Sequence, residues 1–494
     1  MSSILTNNSA MVALQTLKSI NGDLAKTQSM ISTGKSVASA KDNASVWAIS
    51  KVMEADVKGF KGISDSLSLG ESTVAVARQA TETVTDLLTE IKGKVVAAQE
   101  ENVDRSKIQT DIDALTDQIK SVVGAAQFNG LNLVKGTDDM NILSSLDRNS
   151  DGSVTANNIT VGRQDMTTDK GTFGTGTSLN ANATASAAAA TSTGNAENVT
   201  IATDADMSDN AVSITVAGTT LSFAAGELSG DQDAAATQIT GALNALGLEG
   251  ITAAVNGTNA NQIDITSTRG FEDVSLTATG ATASAATIAE RGESVDFSTS
   301  AAVNEGDGYK VTVGGASYDY IAGKGETMED VAKGLKTAID GAGLTGVTTN
   351  VSQDQTTGQW SLKVDNDGSG SASLAFAAVG NAGGQASGGL FGLDSINVET
   401  NNGADSALAN IETMISNSID AAASFGSAEG RIETQSDFIS KLSDALKSGI
   451  GSMVDADMEE ASARLQALQV QQQLGVQSLS IANQSPQSIL SLFR

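Results

Sequence analysis

The 494-residue chain contains no His, no Cys and a single Pro, and its 58 acidic residues against 29 basic ones give a formal charge of −29. Without Cys or His there is no disulfide, thiolate nucleophile, Ser-His-Asp triad or Cys/His zinc site. The acidic balance argues against a nucleic-acid or anionic-membrane surface, and no apolar run reaches the roughly 18 residues of a membrane helix.

The length allows more than one domain. The N-terminus, Met1-Ser-Ser-Ile-Leu-Thr-Asn-Asn8, has neither the basic nor the apolar region of a cleavable secretory signal. The chain is therefore expected to be cytoplasmic, or exported by a route that uses no such signal.

Residues 1–135 read as helix. Ile108, Leu115 and Val122 recur every seven residues, as do Ile112, Ile119 and Ala126, and Val84, Leu88, Ile91, Val95 and Ala98 make a similar face. Ile4, Met11, Leu14, Leu17, Leu24 and Ile31 form a thinner seam over 4–31. Residues 405–485 read as helix again. Ile411, Ile415, Ile419 and Ala422 form one face, which Ile432, Ile439, Leu442, Leu446 and Ile450 extend. Met458, Leu465, Gln472 and Leu479 alternate with Ala461, Leu468, Gly475 and Ala482 along a Gln-rich segment whose helix should end at Pro486. A stripe of this kind is ordinarily core. Four or more of them imply a bundle or coiled coil in which the two ends of the chain pack together. The seams at the extreme ends bury little as a pair and need neighbouring chains to order them.

Residues 136–400 are rich in Gly, Thr, Ser, Asn and Ala and contain a repeat. Ile214-Thr-Val-Ala-Gly218 matches Val311-Thr-Val-Gly-Gly315, Phe223-Ala-Ala-Gly226 matches Tyr320-Ile-Ala-Gly323, and the run from Ala242 to Thr252 matches that from Ala338 to Thr348. Each unit reads strand, turn, strand, short helix and further strands, giving two α+β modules. The low-complexity stretch 174–196 looks like a surface loop or linker.

Asp147-Arg-Asn149-Ser-Asp151-Gly152 opens like a calcium loop. Asn158 stands where a bidentate Glu is needed, so a polar turn between strands accounts for the same residues and no metal is expected. The Gly-rich segments do not match a phosphate-binding loop. Glu459 and Glu460 are adjacent on a helix, point in different directions and read as a solvated face. No constellation supports catalysis, and no cofactor is expected.

The two ends together resemble bacterial flagellin. Leu14, Leu17 and Leu24, followed by Ser32-Thr-Gly34-Lys-Ser-Val-Ala-Ser-Ala40-Lys-Asp42-Asn-Ala44, are similar to the family's S-S-G-x-R-I-N-S-A-x-D-D-A-A. Gln127-Phe-Asn-Gly130 with Leu133 resembles Q-F-N-G-x-x-L. Ser424-Phe-Gly426 through Arg431-Ile-Glu433, Asp455-Ala-Asp457 with Glu460, and Ala482-Asn-Gln-Ser-Pro486-Gln-Ser-Ile-Leu-Ser-Leu492 resemble the C-terminal elements, the last being A-N-Q-x-P-Q-x-V-L-x-L.

The resemblance implies an α+β multidomain protein: a long α-helical coiled-coil bundle formed by both termini, with β-rich outer domains inserted in the middle. Residues 1–44 with 455–494 would form inner coiled-coil segments, and 45–165 with 400–454 a helical rod carrying a short β-hairpin region. Residues 166–300 and 301–399 would be two outer domains, one repeat in each. The implied role is the structural subunit of a helical filament for swimming motility, secreted unfolded through the type III export apparatus with an export chaperone. Its partners would be copies of itself and the hook-junction and filament-cap proteins, with no nucleic acid and no membrane insertion. Inter-subunit packing would fall to Leu14, Leu17, Leu24 and Ile31, with Leu465, Leu468, Leu479, Ile489 and Leu490 opposite. The alternatives are a flagellin-like hook–filament junction protein, or a filament subunit whose middle domains act as a surface adhesin. An inserted zinc protease is excluded by the absence of His.

One departure bears on recognition by the innate immune receptor, which reads R-x-R-E-L in the family. The equivalent segment here is Lys92, Gly93, Lys94, Val95 and Val96. Both positive charges are kept, but Lys lacks the planar fork of Arg and Val95 replaces the acid, which implies weak or absent activation.

Overall fold

The computed structural model describes residues 7–148, 153–368 and 373–492. It contains the helices α1 (Asn8–Thr33), α2 (Ala44–Ala98), α3 (Arg105–Ala125), α4 (Gln232–Ala245), α5 (Met328–Asp340), α6 (Asn401–Val454) and α7 (Met458–Leu492). The fold is α+β, with terminal helical regions and a middle rich in β-sheet. Its contacts fall into two compact units, one of residues 1–72, 141–161 and 427–494, the other of 73–140 and 162–426.

The first unit contains α1, the start of α2, the hairpin Met140–Arg148 with Val154–Val161, the end of α6, and α7. Ile63 and Leu67 of α2, Ile142 and Ile159 of the hairpin, and Ile432 and Ile439 of α6 are buried. Of these, Ile432 and Ile439 lie on a stripe that the sequence spacing marks out, whereas the α2 and hairpin residues do not.

In the second unit, the rest of α2, α3 and the start of α6 supply a second set of buried side chains. Val84, Leu88, Ile91 and Val95 come from α2, Ile112 and Ile119 from α3, and Ile411, Met414 and Phe425 from α6. Asp104 caps α3 by accepting from the Lys107 N–H at 3.3 Å. Thr85 and the fully buried Ser418 share a 2.8 Å hydroxyl contact, which satisfies a polar group inside an otherwise apolar packing.

Besides the short hairpin of Gln127–Phe128 with Leu131–Asn132, this unit holds two α+β modules, each with two four-stranded antiparallel sheets. In the first module one sheet runs Ile251–Val255, Gln262–Ser267, Asn195–Ile201, Ala281–Ala283. The other runs Thr287–Ile288, Val274–Thr279, Val212–Val216, Thr219–Phe223. Asp231 caps α4, which sets Ala235, Ile239 and Leu243 against Val199, Ile263 and Ile265. In the second module the sheets run Val347–Gln353, Trp360–Asn366, Glu293–Phe297, Ala183–Ala185 and Ala316–Ile321, Gly308–Val313, Leu374–Asn381, Ala189–Ala190. Here α5 packs Val331, Leu335 and Ile339 into a core containing Phe297 and Tyr309, whose rings meet edge to face at 6.2 Å.

Three expectations need correction. The stretch 174–196 is not simply a loop: Ala183–Ala185 and Ala189–Ala190 are strands of the second module, and Ala183 and Ala190 are buried. Ala183-Thr-Ala-Ser-Ala-Ala188 repeats, residue for residue, as Ala281-Thr-Ala-Ser-Ala-Ala286, and both copies do the same work. Ser186 and Ser284 donate to Glu293 and Glu197, at equivalent places. Second, a boundary at 300/301 leaves Glu293–Phe297 and 183–190 outside the module they complete. The first module is inserted in the second, between Ala190 and Glu293. Third, α7 continues past Pro486 to Leu492 instead of ending there.

Candidate assembly surface on the terminal helices

Helices α1 and α7 lie antiparallel in the first unit. Helix α1 starts on Asn7, whose Oδ1 accepts from the Ala10 N–H at 3.0 Å. It stops at Gly34, where φ is 69°, a left-handed conformation natural to glycine, and the Gly34 N–H closes on the Met30 carbonyl. Helix α7 starts after Asp457, whose Oδ1 accepts from the N–H groups of Glu459 and Glu460 at 2.9 and 3.1 Å. The two acids that follow suit the positive end of the helix dipole.

The two chain reversals meet. Ser36 N–H donates to the Val454 carbonyl at 2.7 Å, and Ala456 N–H to the Gly34 carbonyl at 3.0 Å, around a bridge between Lys35 and Asp455. Asp42 folds its loop by accepting from the backbone N–H groups of Ser39 and Ala38, and from the Ser39 hydroxyl. Those bonds, the Ser39 backbone bond first, hold its pKa below the usual carboxylate value.

Along the pair, Gln472 Nε2 donates to Asn21 Oδ1 at 2.7 Å and Asn7 Nδ2 to the Ala482 carbonyl at 2.8 Å. A Cβ on Gly475 would sit 3.2 Å from Leu17 Cδ1, so the glycine sets how closely the helices approach. The buried seam is thin. Among the described side chains of α1 and α7, only Thr27, Ala461 and Leu468 are buried. Thr27 returns its hydroxyl to the Asp23 carbonyl within its own helix. Isolated helices are marginal in water and draw most of their stability from tertiary burial. This pair has little of it.

The residues expected to pack between subunits divide accordingly. Leu17, Leu24, Ile31, Leu465 and Leu479 are half-buried, Leu468 is buried within the chain's own helix pair, and Leu14 remains 57% exposed. The Ile489 and Leu490 side chains lie outside the described residues, as does the expected seam residue Ile4. Met11 and Val12 on α1, and Val470, Leu474, Val476 and Ile481 on α7, are each more than half exposed. Heptad counting caught only part of this exposed apolar surface: Met11 and Leu14 lie on a counted seam, and the others do not. The signal was available in the spacing of Val470, Leu474 and Ile481, which at i, i+4 and i+11 form a row of their own away from the counted seam.

The receptor-motif-equivalent segment lies on α2 in the second unit. Lys92 pairs with Glu412, and Lys94 Nζ meets Asp111 Oδ2 at 2.6 Å, a contact that raises the Lys94 pKa. Val95 is fully buried and Val96 exposed. The calcium-loop candidate is only partly described. The Asp147 carboxylate accepts from Asn157 Nδ2 at 2.6 Å, whereas Asn149 and Asp151 lie outside the described residues. Among the described residues, no group of acidic side chains is arranged to hold a metal ion, and no helix is long and apolar enough to cross a membrane.

The family model for the bacterial flagellin N-terminal helical region matches residues 4–139, and that for the bacterial flagellin C-terminal helical region matches residues 408–493. The chain is 31% identical over 501 residues to Flagellin A of Rhizobium meliloti, and 30% identical over 500 residues to Flagellin B of the same organism, with 100% of both chains covered in each case. A solved structure of flagellar hook associated protein-3 from Legionella pneumophila shares 10% identity at a TM-score of 0.33, covering 82% of this chain and 98% of that one, a likeness too slight to carry an argument. Identity across the full length of both chains, together with terminal helices matched at each end, shows that the chain belongs to the bacterial flagellin family.

Proposed function

We propose that this flagellin polymerises through the apolar face that α1 and α7 leave uncovered. The family makes the chain a structural subunit of the flagellar filament, an extracellular homopolymer of motility. The observation that carries the proposal is the exposure of Met11, Val12, Leu14, Val470, Leu474, Val476 and Ile481 on a helix pair that buries only three described side chains. Repeated copies laid side by side would cover that face and supply the burial the pair lacks, in an open helical array. Residues 1–44 and 455–494 would then be the inner segments, and 45–165 with 400–454 the rod. Leu17, Leu24, Ile31, Leu465, Leu468 and Leu479 would hold the pair together, so that the exposed residues are presented on one scaffold.

On this reading the chain has no catalytic role and takes no cofactor. It leaves the cell unfolded through the type III export apparatus, escorted by a chaperone, and meets hook-junction and cap proteins at the ends of the filament. A chain without Cys forms no disulfide in transit, and one Pro leaves few slow isomerisations for folding at the tip. The full-length match to flagellins favours this reading over a junction protein.

Deleting 455–494 tests it. The truncated chain is expected to be secreted and to keep a cooperative thermal transition, yet to form no filaments. Filaments in electron micrographs of the truncation would overturn the proposal.

A further inference from the structure

The inserted first module hangs on its host by two neighbouring crossings, one after Ala190 and one returning to Glu293. Their apolar cores are separate: one gathers Val199, Ile239, Ile265 and Leu276, the other Phe297, Tyr309, Leu335 and Phe376. What joins them at the crossing is polar. Arg291, on the return, donates from Nε to Asp365 Oδ1 at 2.7 Å and from Nη2 to Oδ2 at 2.5 Å. This is a bidentate fork, with the two side chains 10% and 6% exposed.

Asp365 occupies the host strand Trp360–Asn366. Leu362 and Val364 point into the host core, so alternation along the strand puts Asp365 on the opposite face. It is buried there because a turn of the inserted module lies over it. A Cβ on Gly270 would sit 2.6 Å from Asp365 Oδ2. The return crossing is tied to that same turn, Arg291 N–H to the Arg269 carbonyl at 2.8 Å and Gly292 N–H to the Gly270 carbonyl at 2.9 Å. Lys363, two residues along the same face, pairs with Glu290 at 2.7 Å.

We propose that Arg291 and Asp365 form a latch that holds the inserted module in one orientation on its host. A guanidinium–carboxylate fork has one good geometry, whereas an apolar contact tolerates sliding. Removing either partner strands a buried charge, and the turn must lift off to hydrate it. Since neither core extends across the junction, the latch opens without unfolding either module.

The absence of Cys makes the test direct. Nitroxides on Thr220→Cys in the inserted module and Gln355→Cys in the host, both exposed positions, report the distance between modules by pulsed electron resonance in the full chain. Asp365→Asn and Arg291→Gln are each expected to broaden the distance distribution about twofold or more. Amide protection of Asn195–Ile201 and Gln262–Ser267 is expected to remain. A distribution as narrow as the parent's in both variants overturns the latch. So does broadening that comes only with loss of protection in those strands, which makes the pair a folding contact instead.

Discussion

The side-chain amide of Asn7 donates to the carbonyl of Ala482 at 2.8 Å, and Ala482 stands four residues before Pro486. In an α-helix that carbonyl would take the N–H of residue 486, which proline does not have. Helix α7 therefore passes through a proline with the freed carbonyl satisfied from α1. The same Asn7 side chain uses its oxygen to cap α1. One residue thus starts one terminal helix and repairs the other.

Asn7→Asp keeps a capping oxygen and loses the donor. It is expected to raise the critical concentration for polymerisation roughly two- to tenfold, equivalent to about 0.5–1.5 kcal/mol for one hydrogen bond. Pro486→Ala supplies the missing N–H, so in that background Asn7→Asp should cost much less. A sedimentation assay over the double-mutant cycle measures the coupling. Equal costs in both backgrounds would remove the link.

Leu468 and Leu474 separate pairing from assembly. Leu474→Asp places a charge on an exposed face and is expected to abolish filaments while leaving monomer helicity and the thermal midpoint unchanged. Leu468→Asp buries that charge within the pair and should reduce both helicity and polymer yield. Circular dichroism of the monomer and electron microscopy of the polymer read the two outcomes.

At Gly475 the limit is space. Alanine needs Leu17 to give by a few tenths of an ångström and gains about 1 kcal/mol of helix propensity, so Gly475→Ala should polymerise normally. Gly475→Ile cannot be accommodated without separating the helices, and its polymer yield should collapse. Normal filaments from the isoleucine variant would show that the close approach is dispensable.

Glu326 gives a pH dependence of unusual sign. Its Oε1 accepts from the Tyr320 hydroxyl at 2.8 Å and its Oε2 from the Gly323 N–H at 2.9 Å, yet burial raises its pKa above 4.5. The folded state therefore keeps a proton that the unfolded chain releases as pH rises past 4.5. The contribution is most favourable below that pH and is lost as pH climbs through the raised folded value. Glu326→Gln, neutral throughout, should shift the thermal midpoint at pH 7 upward relative to that at pH 4.5, compared with the parent. An identical pH profile for the two chains would refute this.

Receptor activation should be weak. A reporter-cell response as strong as that of a flagellin with an intact R-x-R-E-L would contradict the expectation. Restoring the acid is not a simple remedy, because Val95 is fully buried and Val95→Glu would strand a carboxylate in the packing of α2. Its thermal midpoint should drop before any activity is regained.

Much of the fold is legible in the sequence because hydrophobic periodicity is local. The seven-residue spacing of Ile112 and Ile119 is enough to place them on one buried face, and the 97-residue offset between Ile214 and Val311 is enough to find two modules. The lack of His and Cys narrows the chemistry with no structure at all. Periodicity reports which face of a helix is apolar, not whether anything covers it. Leu14 and Leu468 both lie on counted seams, and only the packing of α1 and α7 leaves the first exposed and buries the second. The same limit hid the strands at 183–190. Alanine, serine and threonine runs carry too little side-chain signal to declare a strand. What makes 183–185 and 189–190 strands is hydrogen bonding to Glu293–Phe297 and Leu374–Asn381, far along the chain. Composition and spacing determined what kind of protein this is. Long-range backbone pairing, and the packing of side chains distant in sequence, decided that one module sits inside the other and that a proline is carried within its last helix.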